Sequence, residues 1–150
     1  MKHSRFTSLL LLIFATVFII SCSKKDEPEP SMGDQVAGNY TLTKFTYSGL
    51  TADLPFTNPT TGVTLSGKIE VTKSADDKAK AKITLSEKDK TGKTTDETTD
   101  LGEATLKKAT TGEIEAYSGT IKIGSYSNGL LSLLATDPDL GPVTIVGKKN

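Results

Sequence analysis

The chain has very few of the side chains that carry nucleophilic, redox and metal chemistry. Its 150 residues include a single Cys, a single His and a single Arg, and no Trp. His3 and Arg5 both lie near the N-terminus, ahead of an apolar run over residues 9–20. Cleavage after that run leaves a protein without imidazole, which excludes Ser-His-Asp, Cys-His and His-based zinc sites. A single thiol also excludes an intramolecular disulfide. We therefore expect no enzymatic activity, no metal and no cofactor.

Acidic and basic side chains are plentiful, but their spacing is that of a solvated surface. The alternating lysines over residues 78–82 have no aromatic neighbours on which bases could stack, so nucleic acid is not a predicted partner. The acidic residues lack the spacing of a calcium-binding loop, and solvated turns usually contain such residues. The acidic residues considered are Asp96, Glu97, Asp100, Glu103, Asp137 and Asp139.

The N-terminus has the features of a cleaved leader. Basic residues precede an apolar run of 12 residues, which is too short to cross a hydrocarbon core of about 30 Å, so residues 1–21 are predicted to be a signal peptide. The sequence Ile-Ile-Ser-Cys at residues 19–22 resembles the bacterial lipobox. That resemblance implies cleavage between Ser21 and Cys22, attachment of acyl chains such as palmitate at Cys22, and a membrane as the partner of the acylated Cys22.

Residues 22–35 are predicted to be the lipidated Cys and a flexible tether. This segment has two Pro, alternating charge and one large apolar side chain, so it cannot bury enough surface to order itself. Residues 23–27, Ser-Lys-Lys-Asp-Glu, resemble the surface-export signals of one Gram-negative phylum. The resemblance implies an outer-membrane lipoprotein that faces the cell exterior. The alternative is a spacer without an address, with the protein on the periplasmic face.

Residues 36–150 are predicted to form one all-β domain. Apolar residues alternate with polar ones over short runs, and Gly, Asn and Asp clusters separate the runs. The sharpest turn is Asn128-Gly129, since both residues tolerate the positive φ angles of a type I′ turn. About eight strands are predicted, over residues 39–47, 63–72, 79–87, 94–98, 101–109, 113–123, 130–136 and 143–148.

Short loops between these strands predict an antiparallel up-and-down meander. Closure into a small barrel removes the two unpaired edges of such a meander, and a β-sandwich is the alternative. In the first strand, large side chains change from one face to the other, which a bulge near Thr43 and Lys44 would explain. The leucine-rich run over residues 130–134 predicts a strand covered on both faces.

Two segments resemble lipocalins. Gly38-Asn39-Tyr40, at the start of the first strand, resembles their Gly-x-Trp motif, and residues 141–148 resemble the last strand of calycin-like lipoproteins. The resemblance implies a barrel floor made of Gly38, Tyr40 and Lys148, and a cup for a small apolar ligand whose contact residues the sequence does not identify. Tyr126, beside a turn, is expected to be peripheral. The alternative function is a structural lipoprotein whose filled barrel docks to a protein partner.

Overall fold

The computed structural model describes residues 28–137 and 141–150. Within them the chain is almost entirely β-structure, with one short helix before the first strand. The elements are α1 (Met32–Val36), β1 (Gly38–Tyr47), β2 (Leu50–Asp53), β3 (Phe56–Thr57), β4 (Thr64–Ala75), β5 (Lys78–Lys88), β6 (Thr94–Lys108), β7 (Ile114–Ser118), β8 (Ile121–Ser127), β9 (Leu130–Asp137) and β10 (Gly141–Lys149).

Eight long strands form a closed antiparallel barrel. Each strand from β4 to β10 pairs with the next one along the chain, and β1 pairs with both β10 and β4. The β1–β4 pairing runs from Gly38 opposite Val71 to Thr41 opposite Lys68, and it closes the sheet. The short strands β2 and β3 pair with the second half of β1 and the start of β4, where those two strands diverge. The predicted meander and its closure are confirmed, and the sandwich alternative is wrong.

The predicted strands differ from the observed ones at two places: one observed strand was predicted as two, and two observed strands were predicted as one. The predicted strands over residues 94–98 and 101–109 are one strand, β6, which ends at Lys108, because Leu101 is an extra residue in a bulge rather than the start of a new strand. Gly102 has a φ of 78° in this bulge, and its N–H donates to the Asp100 carboxylate at 2.8 Å. Conversely, residues 113–123 are divided between β7 and β8 by a tight turn at Gly119. The two errors cancel, so the predicted strand number is correct.

The structure confirms the predicted bulge in β1. Leu42 lies opposite Gly147 and Lys44 lies opposite Val146, so Thr43 is the extra residue. The bulge returns Phe45 and Tyr47 to the side of the sheet that Tyr40 and Leu42 occupy, since Phe45 lies opposite Ile145 and Tyr47 opposite Val143. One face of β1 therefore supplies apolar side chains to the interior along its whole length.

Asn128-Gly129 forms the predicted turn, with φ angles of 51° and 78°. Ser48-Gly49 forms a second turn of this kind, with φ angles of 47° and 78°, which joins β1 to β2. Ser-Gly is a weaker turn signal than Asn-Gly, and this hairpin was not predicted. Part of the predicted turn over residues 137–142 lies outside the described residues.

The helix α1 corrects the predicted extent of the tether. Ser31 caps it by accepting a hydrogen bond from the Asp34 N–H, and the Asp34 carboxylate pairs with Lys73 of β4 at 2.8 Å. Gly33 donates its N–H to the Asp76 carbonyl, and an added Cβ at Gly33 would collide with the Ala75 carbonyl oxygen. Residues 32–35 are thus part of the folded domain. In the described part of the chain, no helix has the length and apolar character needed to span a membrane.

Candidate ligand-binding site

The barrel is filled at the end that α1 covers, which we term the closed end. Tyr40, Leu42 and Ile69 are the largest fully buried side chains. The Tyr40 hydroxyl donates a hydrogen bond of 2.5 Å to the Val36 carbonyl at the end of α1. Burial raises the pKa of the Tyr40 phenol well above its usual value, so the group stays a neutral donor. Tyr40 therefore forms the barrel floor and also holds the helix in place.

Lys149, not Lys148, is the basic residue beside Tyr40. The Lys149 Nζ lies 6.0 Å from the centre of the Tyr40 ring and donates to the Gln35 carbonyl at 2.8 Å. An added Cβ at Gly38, whose φ is 146°, would lie 2.7 Å from the Lys149 Cε. Lys148 is exposed on the opposite face of β10. The structure therefore corrects the implied floor at Lys148, because only every second residue of β10 points inward and Lys149 is the one that lies beside Gly38 and Tyr40.

Tyr126 lies at this floor as well, although its place beside a turn predicted a peripheral role. Its ring packs edge-on against Tyr40, with ring centres 6.3 Å apart and planes at 89°. The Lys149 Nζ lies 5.6 Å from the Tyr126 ring centre. Edge-to-face pairs and cations over ring faces both stabilise such clusters.

We expect Lys149→Met to lower the free energy of unfolding by about 2 kcal/mol, because it removes two cation–ring contacts and the hydrogen bond to Gln35. Lys148→Met is the matched control, and as an exposed substitution it should change stability by no more than about 0.5 kcal/mol. Urea denaturation of the two variants measures the difference. Equal unfolding midpoints would show that Lys149 has no special role.

Above the floor lies a small apolar cavity, the deep cavity, of about 50 Å³. Small side chains on β5, β6 and β7 leave this space, chiefly Ala79, Ala81, Ala104 and Ala116. A cavity of about 150 Å³ accepts benzene, so the deep cavity alone is too small for a ring-sized ligand.

The open half of the barrel holds a larger space, the upper cavity, of about 250 Å³. Its wall is apolar except for Ser118, and no charged side chain lines it. The upper and deep cavities share Leu101, Ile123 and Leu133, which form the partition between them. The remaining lining residues of the upper cavity are Ile83, Leu134, Ala135 and Ile145.

Two partition residues are extra residues in bulges. Leu101 is the unpaired residue between Asp100 and Gly102, and Ile123 is the unpaired residue between Lys122 and Gly124. A bulge turns the side chain of its extra residue away from strict alternation, which lets both residues line the interior. The sequence reasoning did not identify either one. The Asp-x-Gly sequence at residues 100–102 is the sequence feature from which the bulge at Leu101 could have been predicted.

A third space, the outer groove, lies on the outside of the barrel next to the upper cavity. It measures about 480 Å³ and shares Ile123, Leu134 and Ala135 with the upper cavity. Polar side chains line its outer part, namely Lys122, Thr136 and Thr144. The Lys122 ammonium donates to the Glu115 carboxylate at 2.6 Å, and this bond raises the pKa of Lys122 and lowers that of Glu115.

The lysines of β5 lie among acidic residues of the neighbouring strands. Lys78, Lys80 and Lys82 are exposed on one face of β5, and Lys78 pairs with Glu103 at 3.3 Å. Lys82 lies opposite Asp100 on one neighbouring strand and Glu70 on the other. Across residues 28–137 and 141–150, no three His, Cys, Asp or Glu side chains come together as a metal site would require.

The leucine-rich run of β9 keeps a regular inward and outward alternation. Leu131 is buried and Leu133 lines both cavities, whereas Leu130 and Leu134 are about half exposed. No described element covers the outer face of β9, so the prediction of a strand covered on both faces is not met within the described chain. The predicted acylation residue Cys22 and cleavage residue Ser21 lie outside the described residues.

No protein-family model matches the chain, and no curated protein matches it either. Among solved structures, the chain is similar to a de novo designed fluorescence-activating β-barrel. The TM-score is 0.38 at 9% sequence identity, and the match covers 79% of this chain and 96% of the designed chain.

Proposed function

We propose that this protein is a lipid-anchored, lipocalin-like lipoprotein that binds a small apolar ligand in the open half of its barrel and catalyses no reaction. The upper cavity carries this proposal. It is apolar, it holds about 250 Å³, and it adjoins further open space on two sides. Binding sites for small molecules are concave and mostly apolar with a few polar groups, and this part of the barrel has that composition.

The position of the tether supports a definite orientation on the membrane. Glu29, near the start of the described chain, pairs with Lys108 at the closed end of the barrel. Cys22 precedes Pro28 by six residues, which span at most about 20 Å when extended. With Cys22 acylated, the closed end faces the membrane and the open half faces the medium. The ligand therefore has direct access from the medium.

Native mass spectrometry of the acylated protein purified from its own host tests ligand binding. We expect a species heavier than the acylated chain, and mild unfolding should release a small apolar molecule from it. If every species has only the mass of the chain and its acyl groups, while an added excess of apolar compounds also fails to bind, the ligand-binding proposal is wrong.

A structural role is the second candidate, and the outer face of β9 favours it. Leu130 and Leu134 are 49% and 45% exposed, and Val146 of β10 lies on the same outer face. An exposed apolar surface of this kind marks many protein-protein contacts. Leu130→Ser together with Val146→Ser, neither of which lines the described cavities, would abolish capture of a protein partner in the host membrane but leave ligand binding unchanged.

The charged residues after Cys22 are proposed to direct the protein to the exterior face of the outer membrane. Replacing Lys24, Lys25, Asp26 and Glu27 with Ala should leave the protein in the membrane fraction but protect it from protease added to intact cells. The unaltered protein should be digested. Equal digestion of both proteins would favour the spacer interpretation, and protection of both would place the protein on the periplasmic face.

A further inference from the structure

The tip of the β7–β8 hairpin is separated from both neighbouring strands. β8 pairs with β9 only from Gly124 to Ser127, so residues 121–123 of β8 have no β9 partner in the described sheet. On the other side, β7 pairs with residues 105–108 of β6, and the described residues 94–104 of β6 have no β7 partner. The hairpin tip, residues 118–123, therefore pairs only within the β7–β8 hairpin. The barrel wall is open beside it, at the boundary between β8 and β9.

Close packing immediately below this gap explains its position. At Gly124 an added Cβ would lie 2.6 Å from the Ser132 carbonyl oxygen, so glycine lets β9 approach β8 there. The extra residue Ile123 is next to Gly124, on the side of the gap. Bulges bend a strand and increase its twist. The two strands are thus tightly paired up to Gly124 and diverge beyond it.

The gap joins the outer groove to the interior. Ile123 and Ala135 line both the outer groove and the upper cavity, and they lie on the two strands that diverge. Ile123 also lines the deep cavity, together with Leu101 and Leu133. The outer groove, the upper cavity and the deep cavity therefore follow one another and share apolar walls, with the partition of Leu101, Ile123 and Leu133 between the last two.

The shape of this series of spaces favours a flexible chain over a ring. The deep cavity holds only about 50 Å³, whereas the upper cavity holds about 250 Å³. A rigid ring that fits the upper cavity would leave the deep cavity empty, because a benzene-sized space is about 150 Å³. An alkyl chain is thin and flexible enough to fill both spaces once the partition side chains turn aside, with its end at the narrow part. No charged side chain lines either cavity, so the polar part of a ligand would remain outside.

Lys122 provides a partner for such a polar part. It lines the outer groove and is the only basic residue among the groove's described lining residues. An ammonium has three N–H donors, and the hydrogen bond to Glu115 uses one of them. A carboxylate at the mouth of the gap can accept from the same ammonium, and bonds between ionised groups are the strongest of their kind.

We propose that the ligand is a single-chain amphiphile with a carboxylate head, and that its tail enters sideways between β8 and β9 while its head stays on Lys122. The inference rests on the proposed function, since it names the ligand class and the entry route for the same cavity. It predicts that residues beside the gap control binding, whereas residues at the mouth of the barrel do not.

Parinaric acid tests the entry route, because it is a straight-chain fatty acid that fluoresces more strongly in apolar surroundings. The protein is the mature chain, residues 22–150, with Cys22→Ala so that its own acyl groups do not compete. Ala135→Trp blocks the gap and should slow the association of parinaric acid, followed by stopped-flow fluorescence, at least about tenfold. Ala52→Trp is the matched control, since Ala52 lies opposite Phe45 near the barrel mouth and should leave the association rate within about twofold.

Circular dichroism during heating checks that each variant is folded. Ser118→Phe, on the hairpin tip, is a second blocking variant if Ala135→Trp does not fold. If Ala52→Trp slows association and the blocking variants do not, the ligand enters through the mouth and the sideways route is wrong. If the unaltered protein binds no parinaric acid but does bind a compact apolar compound, the ligand class is wrong and the proposed function remains. If it binds neither, both proposals fail.

The position of the head group is tested by two variants of one ion pair. Lys122→Met should weaken binding of parinaric acid by about tenfold and leave its methyl ester unaffected, since only the acid has a carboxylate for the ammonium. Glu115→Gln removes the competing carboxylate and should strengthen binding of the acid. If acid and ester lose affinity equally in Lys122→Met, the head does not lie on Lys122.

Discussion

Tyr40→Ala is expected to lower the free energy of unfolding by about 3 to 5 kcal/mol, the usual cost of removing a buried aromatic ring. Tyr40 is fully buried, its hydroxyl bonds to Val36, and its ring contacts Tyr126. A domain of this size has a total stability of about 5 to 15 kcal/mol, so this loss is a large fraction of the total. Chemical denaturation followed by circular dichroism measures the change.

Two further tyrosine variants separate the causes of this effect. Tyr40→Phe keeps the ring but leaves the Val36 carbonyl without its donor, and it should cost about 1 kcal/mol. Tyr117→Ala removes a ring from the outer face, where it contacts Lys107, and its effect should be much smaller than that of Tyr40→Ala. If Tyr40→Ala and Tyr117→Ala had equal unfolding midpoints, the barrel floor would lie elsewhere.

Tyr126→Ala gives a further comparison. Its position beside the Asn128-Gly129 turn predicted a loss nearer 1 kcal/mol. Its contact with Tyr40 and its place in the wall of the deep cavity now lead us to expect about 2 kcal/mol, between the two other rings. If Tyr126→Ala lowers the free energy of unfolding by no more than an exposed substitution does, Tyr126 is peripheral, as the sequence predicted.

The period of two in the sequence was sufficient to predict an eight-stranded meander, and the two unpaired edges of that meander predicted its closure into a barrel. It also located the β1 bulge, because Tyr40 and Leu42 lie on one parity and Phe45 and Tyr47 on the other. Inward and outward residues alternate in a closed barrel as they do in a flat sheet, so the same pattern marks the core. The prediction of Lys148 as the basic residue of the floor was wrong. The alternation along β10 already favours Lys149, because Lys149 is an even number of residues from the inward-facing Val143 and Ile145.

The candidate site was much harder to predict, for physical reasons. No apolar residue precedes Leu101 in β6, so there was no alternation from which to detect the bulge at that residue. The gap beside Ile123 depends on where the pairing of β8 with β9 stops, and pairing between strands is a tertiary property. The five-residue helix α1 is too short to be stable alone and depends on packing against the barrel.

Cys22→Ala is expected to move the protein from the membrane fraction to the soluble fraction of the envelope. The lipobox resemblance implies acyl chains on this residue, each buried CH₂ group contributes about 0.8 kcal/mol, and two or more chains suffice for stable attachment. The described domain offers no helix that could replace the anchor. Fractionation of host cells, followed by detection of the protein in each fraction, measures the change.

Ser23→Ala is the matched control, because it alters the neighbouring residue and leaves the thiol intact. It should stay in the membrane fraction with its acyl groups, as mass spectrometry of the N-terminal peptide would show. The described barrel begins beyond this segment, so both variants should unfold at the same denaturant concentration as the unaltered domain. If the Cys22→Ala protein stays in the membrane fraction and a high-salt wash does not release it, the protein is held there by something other than an acylated thiol. The orientation that places the closed end against the membrane would then lose its basis as well.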